Sequence, residues 1–125
     1  MPREPSRYLQ NAKTLLKQAP LEGDIYTDLK PVREAFGTAY LAILEAIDAA
    51  LLARGVRTRE LPRSVDAYRA AIKRHLAAHN GLLVREFESL YRLLHIAGYY
   101  RGLLDRATIV KDALRDTQRF IERFR

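Results

Sequence analysis

The stretch from Asp28 to Arg54 constrains this chain more than any other part of it. Asp28 carries the short acceptor side chain that caps a helix N-terminus, and Pro31 is tolerated in a first turn. Gly55 can take the left-handed conformation that ends a helix. At 1.5 Å per residue the helix between them spans roughly 36 Å, enough to cross a small domain from side to side. One face carries Phe36, Tyr40, Ile43, Ile47 and Leu51. The opposite face carries Glu34, Leu41, Glu45, Asp48 and Leu52. Apolar residues on both sides mark a helix contacted on more than one face. Gly37, Ala39, Ala42, Ala46, Ala49 and Ala50 let neighbouring backbones come close. The expected object is a bundle built round one central helix.

The part of this helix from Ala35 to Ala53 is also the nearest thing in the chain to a membrane span. Glu45 and Asp48 sit near its middle, where carboxylates are costly in lipid, and an Ala-rich segment makes a weak span. The centre of a soluble bundle fits better, with no membrane partner. The opening Met1-Pro2-Arg3-Glu4-Pro5-Ser6 lacks the apolar run of a signal peptide, so a cytoplasmic location is expected.

The rest of the chain repeats the helical period. Ser6 is a candidate cap for a first helix carrying Tyr8 or Leu9, Ala12, Leu15, Leu16 and Ala19, stopped by Pro20. Leu21 to Thr27 reads as a loop, and Gly55 to Arg63 as a basic loop. Ser64 caps a third helix with the stripe Val65, Tyr68, Ile72 and Leu76, and Asp66 suits its first turn. Asn80-Gly81 signals a break or kink. A fourth helix shows Leu83, Phe87, Leu90, Tyr91 and Leu94 and ends between Gly98 and Gly102. Asp105 or Thr108 caps a fifth, whose stripe is Ile109, Val110, Ala113, Thr117, Phe120, Ile121 and Phe124. The prediction is an all-α, antiparallel, up-and-down bundle of about five helices and no strands. It forms a single domain over residues 1–125, fraying at 1–5 and 125. The pair Phe120 and Phe124 can pack internally or against a second copy, so a homodimer is a possible assembly.

Charge is uneven. The chain carries 22 Lys and Arg against 15 Asp and Glu. Residues 54–85 hold a net +6, leaving +1 for the other 93 residues. Arg57, Arg59, Arg63, Arg69, Lys73 and Arg74 form the expected basic patch, which would suit a nucleic acid or an acidic protein partner. Arginine outnumbers lysine 17 to 5 throughout, so a composition bias explains part of it. The absence of cysteine excludes disulfides, thiolate metal sites and thiol catalysis.

Three constellations carry chemistry. Arg74-His75-Leu76-Ala77-Ala78-His79 puts a proton carrier and a phosphate-binding guanidinium within reach of one groove. It resembles the arginine–polar–three–histidine motif of HEPN (higher-eukaryote and prokaryote nucleotide-binding) domains. That resemblance implies RNA binding or metal-independent RNA cutting, with Arg74 and His79 catalytic and His75 the polar residue. In that family the motif usually sits late in the chain; here it sits near the middle. His75 and His79 also have helical metal-ligand spacing, but no third ligand accompanies them, so neither a metal nor another cofactor is expected. Glu45 and Asp48 are expected to be solvated or paired with arginine. Tyr91, His95 and Tyr99, each four apart with Tyr100 beside them, share a face. Should Asp48 or Tyr40 meet His95 across the bundle, the result would be a polar network or a pocket lining.

A broader likeness covers about Asn11 to Phe120. Asn11-Ala12-Lys13, Tyr26-x-Asp28-x-Lys30-x-Val32, Thr38-Ala39-Tyr40 with Leu44-x-Ala46-Ile47-Asp48, Tyr91-x-x-Leu94-His95 and Gly98-Tyr99 resemble a family of small bacterial proteins. That family, typical of the Bacteroidetes, is known only as a domain of unknown function. The resemblance implies a compact helical bundle without assigned activity. It makes Tyr26, Asp28, Lys30, Tyr40, Asp48, His95 and Tyr99, together with Tyr91, the candidates for a shared binding site or structural network. Arg74 to Gly81 departs from the family picture in being unusually basic and histidine-rich. The leading expectation is a non-enzymatic interaction module; the alternative is the HEPN-like RNA-binding or RNA-cutting protein.

Overall fold

A computed structural model describes residues 3–76 and 81–124. Within them the chain is predominantly helical. Helix α1 (Pro5–Lys17) leads into a hairpin of two-residue strands, β1 (Leu21–Glu22) and β2 (Ile25–Tyr26). Helix α2 (Leu29–Ala53) follows. Helix α3 (Val65–Ala71) runs on into a π-helical turn over Ile72–Leu76. Helix α4 (Leu82–Leu90) runs on into a π-helical stretch over Tyr91–Tyr100, and α5 (Ala107–Glu122) closes the chain.

Helix α2 is the central element. Asp28 accepts a hydrogen bond from the Lys30 N–H at its start. At its end the Gly55 N–H bonds the Leu52 carbonyl and the Val56 N–H bonds that of Leu51, with Gly55 at φ 91°. This is the left-handed stop that satisfies the last carbonyls. Phe36, Tyr40, Ile43, Ile47 and Leu51 are all buried, and so are Val32, Ala35, Ala39, Ala42 and Ala46. By length and composition α2 is apolar enough to cross a membrane, but here most of it is enclosed by its own chain. Helix α1 packs along it in antiparallel sense, with Arg3 beside Glu45, and the π-helical stretch crosses it antiparallel on another face.

Several local expectations need correction. Leu21 to Thr27 is a hairpin, not a loop, turning on Gly23 at φ 63°. Its short strands lack the length that reveals a period of two. Helix α1 begins at Pro5 with no side-chain cap, so Ser6 lies inside it. Ahead of α1, the Arg3 guanidinium donates to Glu45 of α2 at 2.9 Å. Neither Asp105 nor Thr108 caps α5. Asp24 of the hairpin turn accepts from the Thr108 N–H (3.2 Å) and hydroxyl (2.5 Å), and its backbone carbonyl accepts from Ala107. Ile109 is exposed, and Leu114 takes the place expected for it in the buried stripe. The Ser64 cap is present. Gly81 at φ 73° separates α3 from α4, while Asn80 lies outside the described residues. Phe120 and Phe124 meet edge to face at 5.3 Å within the chain.

Candidate functional site

The π-helical stretch positions the most distinctive group of side chains. An α-helical stripe alternates steps of three and four, as the buried Val110, Ala113, Leu114, Thr117, Phe120 and Ile121 of α5 do. The buried face of the fourth helix instead advances by strict fours, through Leu90, Leu94 and Gly98. Such a stripe drifts round an α-helix. The wider turn of a π-helix, whose hydrogen bonds reach five residues back, holds it in line. The Arg101 N–H donates to the Ile96 carbonyl at 2.8 Å in this pattern.

The same winding aligns rings four apart. Tyr91 and His95 stack with centroids 5.5 Å apart and planes 21° apart; His95 and Tyr99 stack at 5.8 Å and 21°. Tyr40 of α2 lies against this column, 4.9 Å from His95 and 5.9 Å from Tyr91. The guanidinium of Arg69 sits 5.6 Å above the Tyr91 ring, a cation–π contact that continues the stack.

Two glycines let α2 approach. A Cβ on Gly98 would stand 2.3 Å from the Phe36 ring, and one on Gly37 would stand 2.9 Å from the Tyr99 ring. Each helix thus offers bare backbone to an aromatic ring of the other. Arg33 then closes the end of the column. Its Nε donates to the Tyr99 carbonyl (2.9 Å) and its Nη2 to that of Tyr100 (2.6 Å), satisfying carbonyls that a helix end leaves open.

Tyr40 and His95 form a floor shared by two adjoining hollows. One, of about 540 Å³, is bounded by Leu15, Gly37, Leu41 and Tyr99, with Glu34 at its rim. The other, of about 320 Å³, is bounded by Leu44, Val65, Tyr68 and Tyr91, with Arg63 at its rim. Leu41 and Tyr99 stay 47% and 45% exposed, so the aromatic edge is open to a partner. Burial pushes the Tyr40 phenol up to about 12, helped by the neighbouring Tyr91 and opposed by Arg69.

A second polar group lies beyond Tyr68. The Tyr68 hydroxyl donates to Asp48 at 2.9 Å, and Arg3 reaches both Glu45 (2.9 Å) and Asp48 (3.7 Å). Burial raises the Asp48 carboxyl; the Tyr68 bond and the Arg3 charge pull it back. The Tyr68 phenol is raised too, first by burial and then by the Asp48 charge. Asp48 therefore meets Tyr68 and Arg3, whereas His95 meets Tyr40. Glu45 and Asp48 are indeed paired with arginine, but Asp48 is buried.

The remaining candidates lie apart. Tyr26 is buried in strand β2 of the hairpin, Asp28 is the cap of α2, and Lys30 is exposed and bridges Glu34 at 2.9 Å. Of the basic patch, Arg57, Arg59, Arg63, Lys73 and Arg74 are exposed. Arg69 is not a free surface charge: it is half-buried and ion-paired with both Asp66 and Glu88. Arg74 and His75 are exposed on the turn after α3, and His79 lies outside the described residues. Among the described residues no group of three metal-ligating side chains occurs. Arg3 and Arg33 were not singled out by sequence, because both act on partners more than forty residues away. Tyr68 was read as part of an apolar stripe; its hydroxyl is what ties that stripe to Asp48.

The family model described as a domain of unknown function (DUF5618) matches residues 2–125. A solved structure of a protein of unknown function from Dyadobacter fermentans is similar to the chain, with 30% identity and a TM-score of 0.78. The match covers 97% of this chain and 90% of that one. No curated protein matches.

Proposed function

Because the chain belongs to the DUF5618 family, a domain of unknown function that carries no activity with its name, we propose from its own residues that it is a non-enzymatic binding module. Its partner lays an apolar or aromatic group across Tyr40 and His95. The observation that carries this reading is the floor those two rings share between two adjoining hollows. Binding sites of this kind are mostly apolar and aromatic, with a few polar groups at fixed places, and of a few hundred Å³. Here Glu34 and Arg63 supply opposite charges at the two rims.

The support is also conformational. A π-helical stretch is rare and is frequently found at functional sites. In this chain it aligns the Tyr91–His95–Tyr99 column and leaves the edge of Tyr99 open. The contacts of His95 are ring faces from Tyr40, Tyr91 and Tyr99, which suits it to packing against a partner.

Nuclear magnetic resonance titration with indole, phenol and p-cresol tests the reading. Shifts should gather at Tyr40, His95 and Tyr99, and Tyr99→Ala should weaken them with the fold intact. Shifts scattered over the surface, or confined to another face, would overturn it.

A further inference from the structure

Away from the Tyr40–His95 floor, and sharing no lining residue with its hollows, α1, α5 and the β1–β2 hairpin border a groove of about 590 Å³. Its floor is apolar: Leu16 from α1, Leu114 from α5 and Tyr26 from the hairpin. Its rim is cationic, with Lys13 and Lys17 on α1 facing Lys111 and Arg115 on α5. None of the residues lining it is acidic.

Two features set this rim apart from an ordinary solvated surface. Each helix contributes its cations at positions i and i+4, where like charges repel; on α5 the Asp112 carboxylate, 3.1 Å from Arg115, already offsets that one charge. The two pairs then face one another across the groove, adding to the repulsion. Moreover, lysine is scarce here, five residues against seventeen arginines, yet three of the five lysines line this one groove. Lysine offers a compact, mobile point charge able to follow an anionic head group.

We propose that this groove binds a small amphipathic anion: an apolar body on Leu16, Leu114 and Tyr26, and a carboxylate or phosphate head between the facing lysines. The volume matches a small-molecule site. Leu21, 49% exposed at the groove's edge, extends the apolar surface that such a body would cover. The site is separate from the Tyr40–His95 floor, so the two readings stand or fall independently.

Isothermal titration calorimetry with decanoate and octyl phosphate tests it, alongside octyl glucoside as the uncharged counterpart and inorganic phosphate as the bare anion. Both amphipathic anions should bind, with resonance shifts at Leu16, Tyr26 and Leu114. Octyl glucoside and inorganic phosphate should each bind at least tenfold more weakly. The double variant Lys13→Glu, Lys111→Glu should lose at least tenfold in affinity for octyl phosphate while melting no lower than the parent. Equal binding of octyl glucoside, unchanged affinity in the variant, or shifts centred on Tyr99 would overturn the proposal. So would capture of an acidic amphipathic peptide in place of either small anion.

Discussion

The two faces of the bundle are built on opposite rules. Where α2 crosses the π-helical stretch, bare glycine backbone meets aromatic rings, and charged groups around the crossing are paired. Arg33 takes the end carbonyls, Tyr68 takes Asp48, and Arg69 takes Glu88. Where α1 and α5 approach one another, long side chains with like charge line the gap, and the hairpin stands between the helices. Small residues close one interface, and cations line the gap at the other. The contrast teaches that this fold's tight contact and its open groove arise from side-chain choice on otherwise similar helices.

The tight face is the easier one to break. Gly98→Ala places a methyl against the root of the Phe36 ring, which is fully buried and has nowhere to go. A loss of about 2–3 kcal/mol is expected, typical of overpacking. Gly37→Ala meets the Tyr99 ring instead, which is 45% exposed and can swing outward. Its expected cost is below about 1 kcal/mol. Urea unfolding of the two variants measures the difference; equal losses would mean that the crossing is not set by Gly98.

Tyr68→Phe comes next. It removes the donor to a buried carboxylate, for an expected loss of about 2 kcal/mol at neutral pH. The folded-state pKa of Asp48 is raised by burial, so its proton-linked contribution is fully present below the unfolded value near 4 and is lost as pH rises through the folded value. Without the Tyr68 bond that pKa rises further. The variant's deficit should therefore shrink as the pH falls from 7 towards about 4. A deficit independent of pH would show that the Tyr68 hydroxyl does not act through the ionised Asp48 carboxylate.

Much of this architecture was legible in the residues themselves, and what was not has a physical reason. The ends of α2 were readable because Asp28 and Gly55 act within their own turn. The hairpin was not, since two-residue strands show no alternation and Asp24 acts on Thr108, far along the chain. The aromatic face was half readable. Tyr91, His95 and Tyr99 share a face in either winding, but the strict fours of Leu90, Leu94 and Gly98 were the one signal for the π-helix. Tyr40 meeting His95 was one of two open alternatives, and pairing across helices decides it. The cationic groove left a local trace, Lys13 with Lys17 and Lys111 with Arg115, that gains meaning only once α1 and α5 lie side by side.

A smaller effect sharpens the picture of the closed face at high pH. The Tyr40 phenol, pushed up to about 12 by burial, holds its proton better in the folded chain than in the unfolded one. Its contribution is complete below the unfolded value near 10 and disappears as pH rises through 12. By pH 11 the unfolded phenol is mostly ionised, costing the native state about 1.4 kcal/mol relative to neutral pH. Tyr40→Phe should remove that part of the alkaline loss. Thermal melts of both proteins from pH 9 to 11 give the comparison, and parallel curves would contradict a buried Tyr40 hydroxyl.

The open face predicts a gain in place of a loss. Lys13→Glu turns the repulsive Lys13–Lys17 pair into an attractive one, with the acid N-terminal to the lysine and Lys17 kept in the last turn of α1, and brings an acid to the groove that Lys111 also lines. The expected stabilisation is about 0.3–0.5 kcal/mol at low salt. It should fade as salt rises, because exposed charges are screened within about 10 Å at 0.1 M. The parent, conversely, should become more stable in salt as its own rim repulsion is screened. A substitution that strengthens the fold while weakening the binding of octyl phosphate would mean that these lysines are kept at a cost to stability, which a merely solvated rim has no reason to show. If Lys13→Glu instead destabilises the chain at low salt, the cations are already neutralised by surrounding groups, and the contrast between the closed and open faces loses its electrostatic basis.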